Sequence, residues 1–165
     1  MMHDLGTKDH PPANAVVMAP REAYDFDYYA QRIADPELLV KSVAVRMVRM
    51  PLLAVPVGGT RRGGYFPVPC FCLGLAVRDV LQGQPGFWDL RLGSALYPEG
   101  EAVEWGERPP EFPPCPDADA DSALGRFYGY SDAAIQQYTA ARRARALITP
   151  ASCSVFSFSP EQPPV

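Results

Sequence analysis

Proline is the residue that most constrains how this chain can fold. The sequence has 19 prolines among 165 residues, and they concentrate in residues 109–116 and in the last six residues. Proline fixes its own φ and has no backbone N–H, so it interrupts helix interiors and central strands. The two clusters therefore predict a Pro- and Asp-rich linker over residues 107–120 and a Ser- and Pro-rich tail over residues 148–165.

The remaining composition predicts one ordinary globular domain. Hydrophobic residues make up 47% of the chain, charged residues 21%, and the net charge is −4, which argues against a protein that coats nucleic acid. No apolar run approaches the roughly 18 to 20 residues of a membrane helix, and the first residues lack the apolar segment of a secretory signal. We expect a cytoplasmic protein with no membrane partner, organised as a mobile leader (residues 1–20), a single domain (residues 21–147) and the tail.

Apolar residues at helical spacing predict three main helices. The first covers residues 24–33, with Asp25 as its N-cap. The second covers residues 69–83, where the apolar residues fit one helical face without a miss. The third covers residues 132–147 and starts after Ser131, a favourable N-cap residue.

Alternation of apolar and polar residues predicts the strands. Two of them, residues 52–57 and 65–68, are joined by a glycine-rich link, which indicates a long β-hairpin with Arg61 and Arg62 at its tip. We therefore expect an α+β fold, a mostly antiparallel sheet of four to five strands with two or three helices packed on one face. The other predicted strands are residues 43–48, 88–92 and 102–105.

Histidine, cysteine and glycine do not form the patterns of familiar catalytic sites. His3 and His10 both lie in the leader, which disfavours a nucleophile–histidine pair or a histidine-ligated metal. Cys70 and Cys72 form a C-x-C pair, which is shorter than the C-x-x-C of zinc and redox sites. The glycines of residues 58–64 match neither common phosphate-loop pattern. We predict no catalytic residue of these kinds, no metal and no cofactor.

Arginines form the first candidate binding site. Arg61 and Arg62 lie between two glycine pairs, and Arg46 and Arg49 on the preceding strand segment are expected to share their surface. Guanidinium groups bind phosphate or carboxylate through paired hydrogen bonds. The alternative interpretation is a solvated hairpin tip that needs no ligand.

Carboxylates and aromatic residues form two further candidate sets. The carboxylates of Glu99, Glu101, Glu104 and Glu107 surround Trp105, and they fit either an acid–base or cation-binding pair or the solvent face of a strand. The aromatic set fits either a partner-binding surface or a helix-on-sheet core with its hydroxyls at the rim. Its members proposed for partner binding are Tyr28, Tyr128, Tyr130 and Trp105.

Three segments resemble a family of short uncharacterised actinobacterial proteins of the Streptomyces type. They are residues 49–59, 103–106 and 128–131, and the similarity extends over residues 24–138. The resemblance implies a GC-rich actinobacterial source, but it carries over no activity and no catalytic residue. The leader and the tail fall outside it.

The hypothesis from the sequence is a small non-enzymatic binding or regulatory module that acts through a protein partner or self-association. The first alternative is an anion-binding protein that contacts nucleic acid or a phosphorylated metabolite through the arginine-bearing glycine loop. The second alternative is a small enzyme that uses carboxylates, tyrosines or Cys72 without histidine.

Overall fold

Short strands and helices alternate along the computed structural model, which describes residues 14–93, 101–111, 113 and 117–148. The strands are β1 (Val16–Met18), β2 (Val43–Arg46), β3 (Pro51–Ala54), β4 (Gly63–Val68), β5 (Arg91–Leu92) and β6 (Glu101–Gly106). The helices are α1 (Phe26–Ala30), α2 (Glu37–Lys41), α3 (Phe71–Leu81), α4 (Ala118–Phe127) and α5 (Asp132–Ile148). None of these helices is both long and apolar enough to cross a bilayer, a statement that covers the described residues only.

The strands form two three-stranded antiparallel sheets, with the orders β1-β2-β3 and β4-β6-β5. The α+β class and the antiparallel pairing are confirmed, whereas the single sheet of four to five strands is wrong. The predicted hairpin is also wrong, because β3 pairs with β2 and β4 pairs with β6. The glycine-rich link holds only the isolated bridge between Gly58 and Arg61. It carries the chain from one sheet to the other.

The strand β1 lies inside the segment predicted to be a mobile leader. It pairs with β2 along its whole length, with Val17 opposite Val45. Residues 16–18 therefore form part of the first sheet although they precede the predicted boundary at residue 20, and their ladder depends on a partner strand almost thirty positions away. Residues 1–13, which include both histidines, and the tail from residue 149 lie outside the described residues.

Apolar clusters cover both faces of the first sheet. Ala44 packs in one cluster with Leu38 of α2, and its neighbour Val45 packs in the other cluster with Val77 of α3. Successive residues of a strand point to opposite faces, so α2 and α3 lie on opposite faces of this sheet. The prediction that the helices share one face is wrong.

The two sheets are joined through Trp105 of β6. Its side chain is fully buried, and Nε1 donates a hydrogen bond of 3.1 Å to the carbonyl of Val55, just after β3. The indole lies where a side chain on Gly64 would be, since an added Cβ there would be 2.4 Å from Cε2 of Trp105. The absence of a Cβ at Gly64 is what lets β4 lie against this ring.

Two of the predicted helices, α3 and α5, are confirmed. The helix α3 lies within the predicted residues 69–83, and the hydroxyl of Ser131 caps α5 by accepting a hydrogen bond of 3.2 Å from Ala134 N. Asp25 occupies the N-cap position of α1 as predicted, but its side chain makes no capping hydrogen bond, because its carboxyl group turns into the core and accepts a hydrogen bond of 2.7 Å from Leu53 N.

The helix α4 was missed by the sequence reasoning. It starts inside the predicted linker of residues 107–120, where prolines dominate the preceding sequence. Asp117 provides the start signal, because its Oδ1 accepts a hydrogen bond of 2.8 Å from Ala120 N.

Candidate functional site

Residues 128–131 form the turn between α4 and α5, which we call the α4–α5 turn, and they connect three distant parts of the chain. Ala34 N donates to the carbonyl of Gly129 at 2.8 Å, and Ser131 N donates to the carbonyl of Arg32 at 2.8 Å. These hydrogen bonds fix the end of the α1 region against the two C-terminal helices.

The cation of Arg61 is buried beneath this turn. Arg61 is 4% exposed, and its Nη1 donates a 2.5 Å hydrogen bond to the carbonyl of Tyr128. Gly129 has a φ of +73°, and a Cβ at that position would be 2.6 Å from Cβ of Arg61. The expectation of an exposed Arg61 at a hairpin tip is wrong, because the α4–α5 turn covers it. Arg61 is therefore a buried cation that holds the backbone of this turn.

Tyrosines surround Arg61 on the α1 side. The rings of Tyr29 and Tyr130 are stacked with centroids 6.5 Å apart. Desolvation by burial raises the pKa of Tyr29 to about 12 and also raises the pKa of Tyr130. Both hydroxyls are therefore protonated at neutral pH, and this cluster offers no phenolate base.

The aromatic residues proposed for partner binding do not form one surface. Trp105 is fully buried and Tyr128 is 3% exposed, so neither side chain offers a surface to a partner in this structure. Both are core residues, Trp105 between the sheets and Tyr128 against α4. Tyr28 and Tyr130 are half-buried, and the guanidinium carbon of Arg32 lies 4.0 Å from the centroid of the Tyr28 ring.

An open cavity of about 820 Å³ lies beside the α4–α5 turn. Three arginine side chains line it, Arg62, Arg108 and Arg126. Its apolar wall includes Phe127 and Pro110. We call this cavity the arginine groove.

The charges of the arginine groove are only partly neutralised. Arg62 bonds to Glu107 through a short hydrogen bond, which lowers the pKa of the Glu107 carboxyl. Arg126 Nε lies 3.7 Å from Asp132 Oδ1, and Arg108 forms no ion pair or hydrogen bond with any described residue. Both ion pairs are solvent-exposed, and such pairs exchange readily because they contribute little free energy.

The N-terminus of α5 adds to the positive potential of the groove. The helix starts at Asp132, which lines the groove together with Ser131. Helix N-termini carry a partial positive charge that favours anions. Three guanidinium groups therefore meet the N-terminus of a long helix at this cavity, and the carboxylate of Asp132 offsets part of their positive charge.

The four predicted anion-binding arginines are not brought together. Arg62 lines the groove, Arg61 lies buried beside it, and Arg46 and Arg49 are exposed at the β2–β3 end of the first sheet. Arg46 and Arg49 lie at the end of the first sheet, whereas Arg62 lies just before β4 of the second sheet. The two pairs of arginines are separate because β3 and β4 do not form the predicted hairpin.

Sequence reasoning missed Arg108 and Arg126. Arg108 directly precedes the proline-rich residues 109–116 and Arg126 follows them, and both are distant from Arg62 along the chain. The capping aspartate that starts α4 is the signal that could have placed Arg126 on a helix.

The predicted carboxylate pair is not formed by the described residues. Glu104 is 8% exposed and lies 3.9 Å from Arg91 Nη2, whereas Glu107 binds Arg62. Glu101 is exposed, and Glu99 lies outside the described residues. The expectation that alternating glutamates form a solvent face is wrong at Glu104, because both faces of β6 are covered.

The thiols do not join the groove. Cys70 and Cys72 are free and exposed at the start of α3, and Cys115 and Cys153 lie outside the described residues. Within the described residues, no group of three or more histidine, cysteine, aspartate or glutamate side chains could hold a metal ion.

Comparison with known protein families assigns the chain to one of them. The model of a family of unknown function matches residues 17–162. The chain belongs to the DUF6302 family. The DUF6302 match begins within β1 and continues past α5, so the narrower limits of the resemblance, residues 24–138, are wrong at both ends. No curated protein and no solved structure matches the chain.

Proposed function

We propose that the protein is a non-enzymatic binding module that holds an anionic group in the arginine groove. The observation that carries the proposal is the convergence of Arg62, Arg108 and Arg126 on one open cavity of about 820 Å³. Each guanidinium offers a planar set of donors that matches phosphate or carboxylate oxygens.

A ligand anion replaces the carboxylates in the two exposed ion pairs of the groove. Glu107 and Asp132 hold Arg62 and Arg126 in solvent-exposed contacts. A ligand anion that contacts two or three arginines at once replaces the carboxylates of Glu107 and Asp132. Its binding is favoured because one ligand then interacts with several positive charges. Arg108, which has no partner among the described residues, needs no exchange.

The size and the wall of the groove indicate an anionic group attached to a larger molecule. The cavity is larger than a single phosphate needs, and Phe127, Pro110 and Ala123 give it an apolar side. A phosphorylated metabolite or a nucleic-acid segment combines the two features.

The non-enzymatic part of the proposal is supported by the way the buried carboxylates are used. Asp25 accepts a hydrogen bond from Leu53 N, Glu104 lies beside Arg91, and Asp121 binds Arg142. Asp132 lines the groove, and it already faces Arg126.

The experiment is a calorimetric titration of the full chain with inorganic pyrophosphate at low and at high salt. The double variant Arg108→Ala/Arg126→Ala should bind pyrophosphate at least about a hundredfold more weakly, since it removes two charge-assisted contacts of about 1.5 to 3 kcal/mol each. The matched control is Arg46→Ala/Arg49→Ala, which removes the same charge from exposed positions outside the groove. Wild-type binding should weaken as salt rises.

Two results contradict the proposal. One is the absence of pyrophosphate binding by the wild type at low salt. The other is an equal loss of affinity in the control variant, which would show a response to overall charge instead of a site.

A protein partner is the second candidate function, and a different surface favours it. Exposed apolar side chains concentrate around β1, where Val16 is 43% exposed and Val48 is 72% exposed. We also propose an actinobacterial source, which the arginine-rich composition supports, and a cytoplasmic location, which the free thiols of Cys70 and Cys72 support.

A further inference from the structure

One end of the first sheet exposes an unusual number of apolar side chains. Val16 lies opposite Arg46 in the ladder, and Tyr24 N donates to the carbonyl of Pro51 at 2.8 Å, so these segments are neighbours. Contiguous exposed apolar surface marks interaction sites more often than isolated apolar residues do. The exposed members, which we call the β1 patch, surround this edge of the sheet, with Val16 and Val17 on its two opposite faces; they are Val16, Val17, Tyr24, Val48 and Met50.

The β1 patch includes an open sheet edge. β1 is the outermost strand of its sheet and pairs with β2 on one side, and no strand within the described residues pairs with its other side. An edge strand presents unpaired N–H and C=O groups that can accept another strand. Edges are usually protected by charge or proline, yet β1 carries the exposed Val16 and Val17.

Two arginines make the β1 patch positive. Arg46 is at the end of β2, Arg49 is in the following turn, and both are exposed. Neither forms an ion pair with a described residue, whereas the chain as a whole has a net charge of −4. A second copy docked edge to edge would bring its own two arginines to the same surface, so charge complementarity favours an acidic partner over self-pairing.

We propose that β1 is a docking site for an extended acidic segment of a partner protein. The segment adds to the first sheet as a fourth strand, with backbone hydrogen bonds to the open edge. Its apolar side chains cover Val17 on one face of the sheet, and its carboxylates contact Arg46 on the other face and Arg49 in the following turn. This mode of recognition combines main-chain affinity with side-chain specificity, and it is independent of the arginine groove.

The test measures fluorescence anisotropy of a labelled peptide of alternating glutamate and valine, titrated with the full chain. Two comparison peptides of the same length carry lysine in place of glutamate, or proline in place of valine. The glutamate–valine peptide should bind at least tenfold more tightly than either, because lysine repels the arginines and proline cannot donate to the ladder. Arg46→Ala/Arg49→Ala should weaken its binding at least tenfold, and Arg108→Ala/Arg126→Ala should not change it.

Three results would overturn the docking proposal. They are equal binding of the proline peptide, undiminished binding by Arg46→Ala/Arg49→Ala, and a dimer of the free chain that the substitution Val17→Lys disperses. The last result would assign the edge to a second copy. The pyrophosphate titration of Arg108→Ala/Arg126→Ala tests only the arginine groove, and the peptide titration tests only the β1 docking site. Either proposal can therefore fail without affecting the test of the other.

Discussion

Asp25 makes the stability of this fold depend on pH in a direction that can be worked out. The residue is 8% exposed, and its carboxyl group accepts a hydrogen bond from Leu53 N at 2.7 Å. Desolvation by burial raises its pKa from 3.8 to about 6, although the hydrogen bond from Leu53 opposes the shift. The folded protein therefore favours the neutral carboxyl.

Proton linkage gives the sign and the size of the contribution of Asp25 to the free energy of unfolding. Because the folded pKa of Asp25 is raised, its contribution to stability is fully present below about pH 4 and is lost as the pH rises through about 6. The difference between 3.8 and about 6 corresponds to about 3 kcal/mol at about 1.4 kcal/mol per pKa unit, an upper value because relaxation and water reduce it.

The substitution Asp25→Asn isolates this effect, since the amide keeps an oxygen that accepts from Leu53 N and carries no charge. Urea unfolding should show nearly equal stability of the two proteins near pH 4 and a more stable Asn variant at pH 8, by about 2 to 3 kcal/mol. Asp27→Asn on the exposed side of α1 is the control. A difference between Asp25→Asn and wild type that stays constant across this pH range would refute the reasoning.

Other predictions concern packing, capping and the first strand, each read by urea unfolding. Gly64→Ala places a Cβ 2.4 Å from an atom of the buried Trp105 ring, and we expect a loss of about 2 to 3 kcal/mol; unchanged stability would contradict this packing. Ser131→Ala removes the acceptor for Ala134 N and should lower stability by about 1 kcal/mol, whereas Ser131→Asp should retain most of it. Removing residues 1–18 should destabilise the protein by about 2 kcal/mol more than removing residues 1–13, because each ladder hydrogen bond contributes about 1 kcal/mol; equal stability of the two truncations would show that β1 is dispensable.

The parts of the fold that the sequence predicts are those with local causes. The helix α3 follows from apolar spacing within one segment, and α5 follows from its capping residue, Ser131. Both signals lie within a few positions of the structure they specify. The class of the fold follows from the same local patterns.

The parts that the sequence does not predict depend on pairing between distant segments. The strands around the glycine-rich link alternate correctly, but nothing in their own residues shows that β4 pairs with β6 and not with β3. Glu104 looks like a solvent-facing residue until Arg91 is placed beside it. The candidate site has the same limit, because Arg62, Arg108 and Arg126 meet only after both sheets and α4 are assembled.

The hydrogen bond from Arg61 to the carbonyl of Tyr128 spans 67 positions of the chain. During translation Arg61 leaves the ribosome well before its acceptor, and a guanidinium without an acceptor resists burial because desolvation of an unpaired charge is strongly unfavourable. Ala34 N, which follows the α1 region, likewise lacks its acceptor, the carbonyl of Gly129, until that part of the chain has been made. A nascent chain that ends before α4 therefore lacks the acceptor of Arg61, and this cation gains its partner only when the last third of the polypeptide has been made.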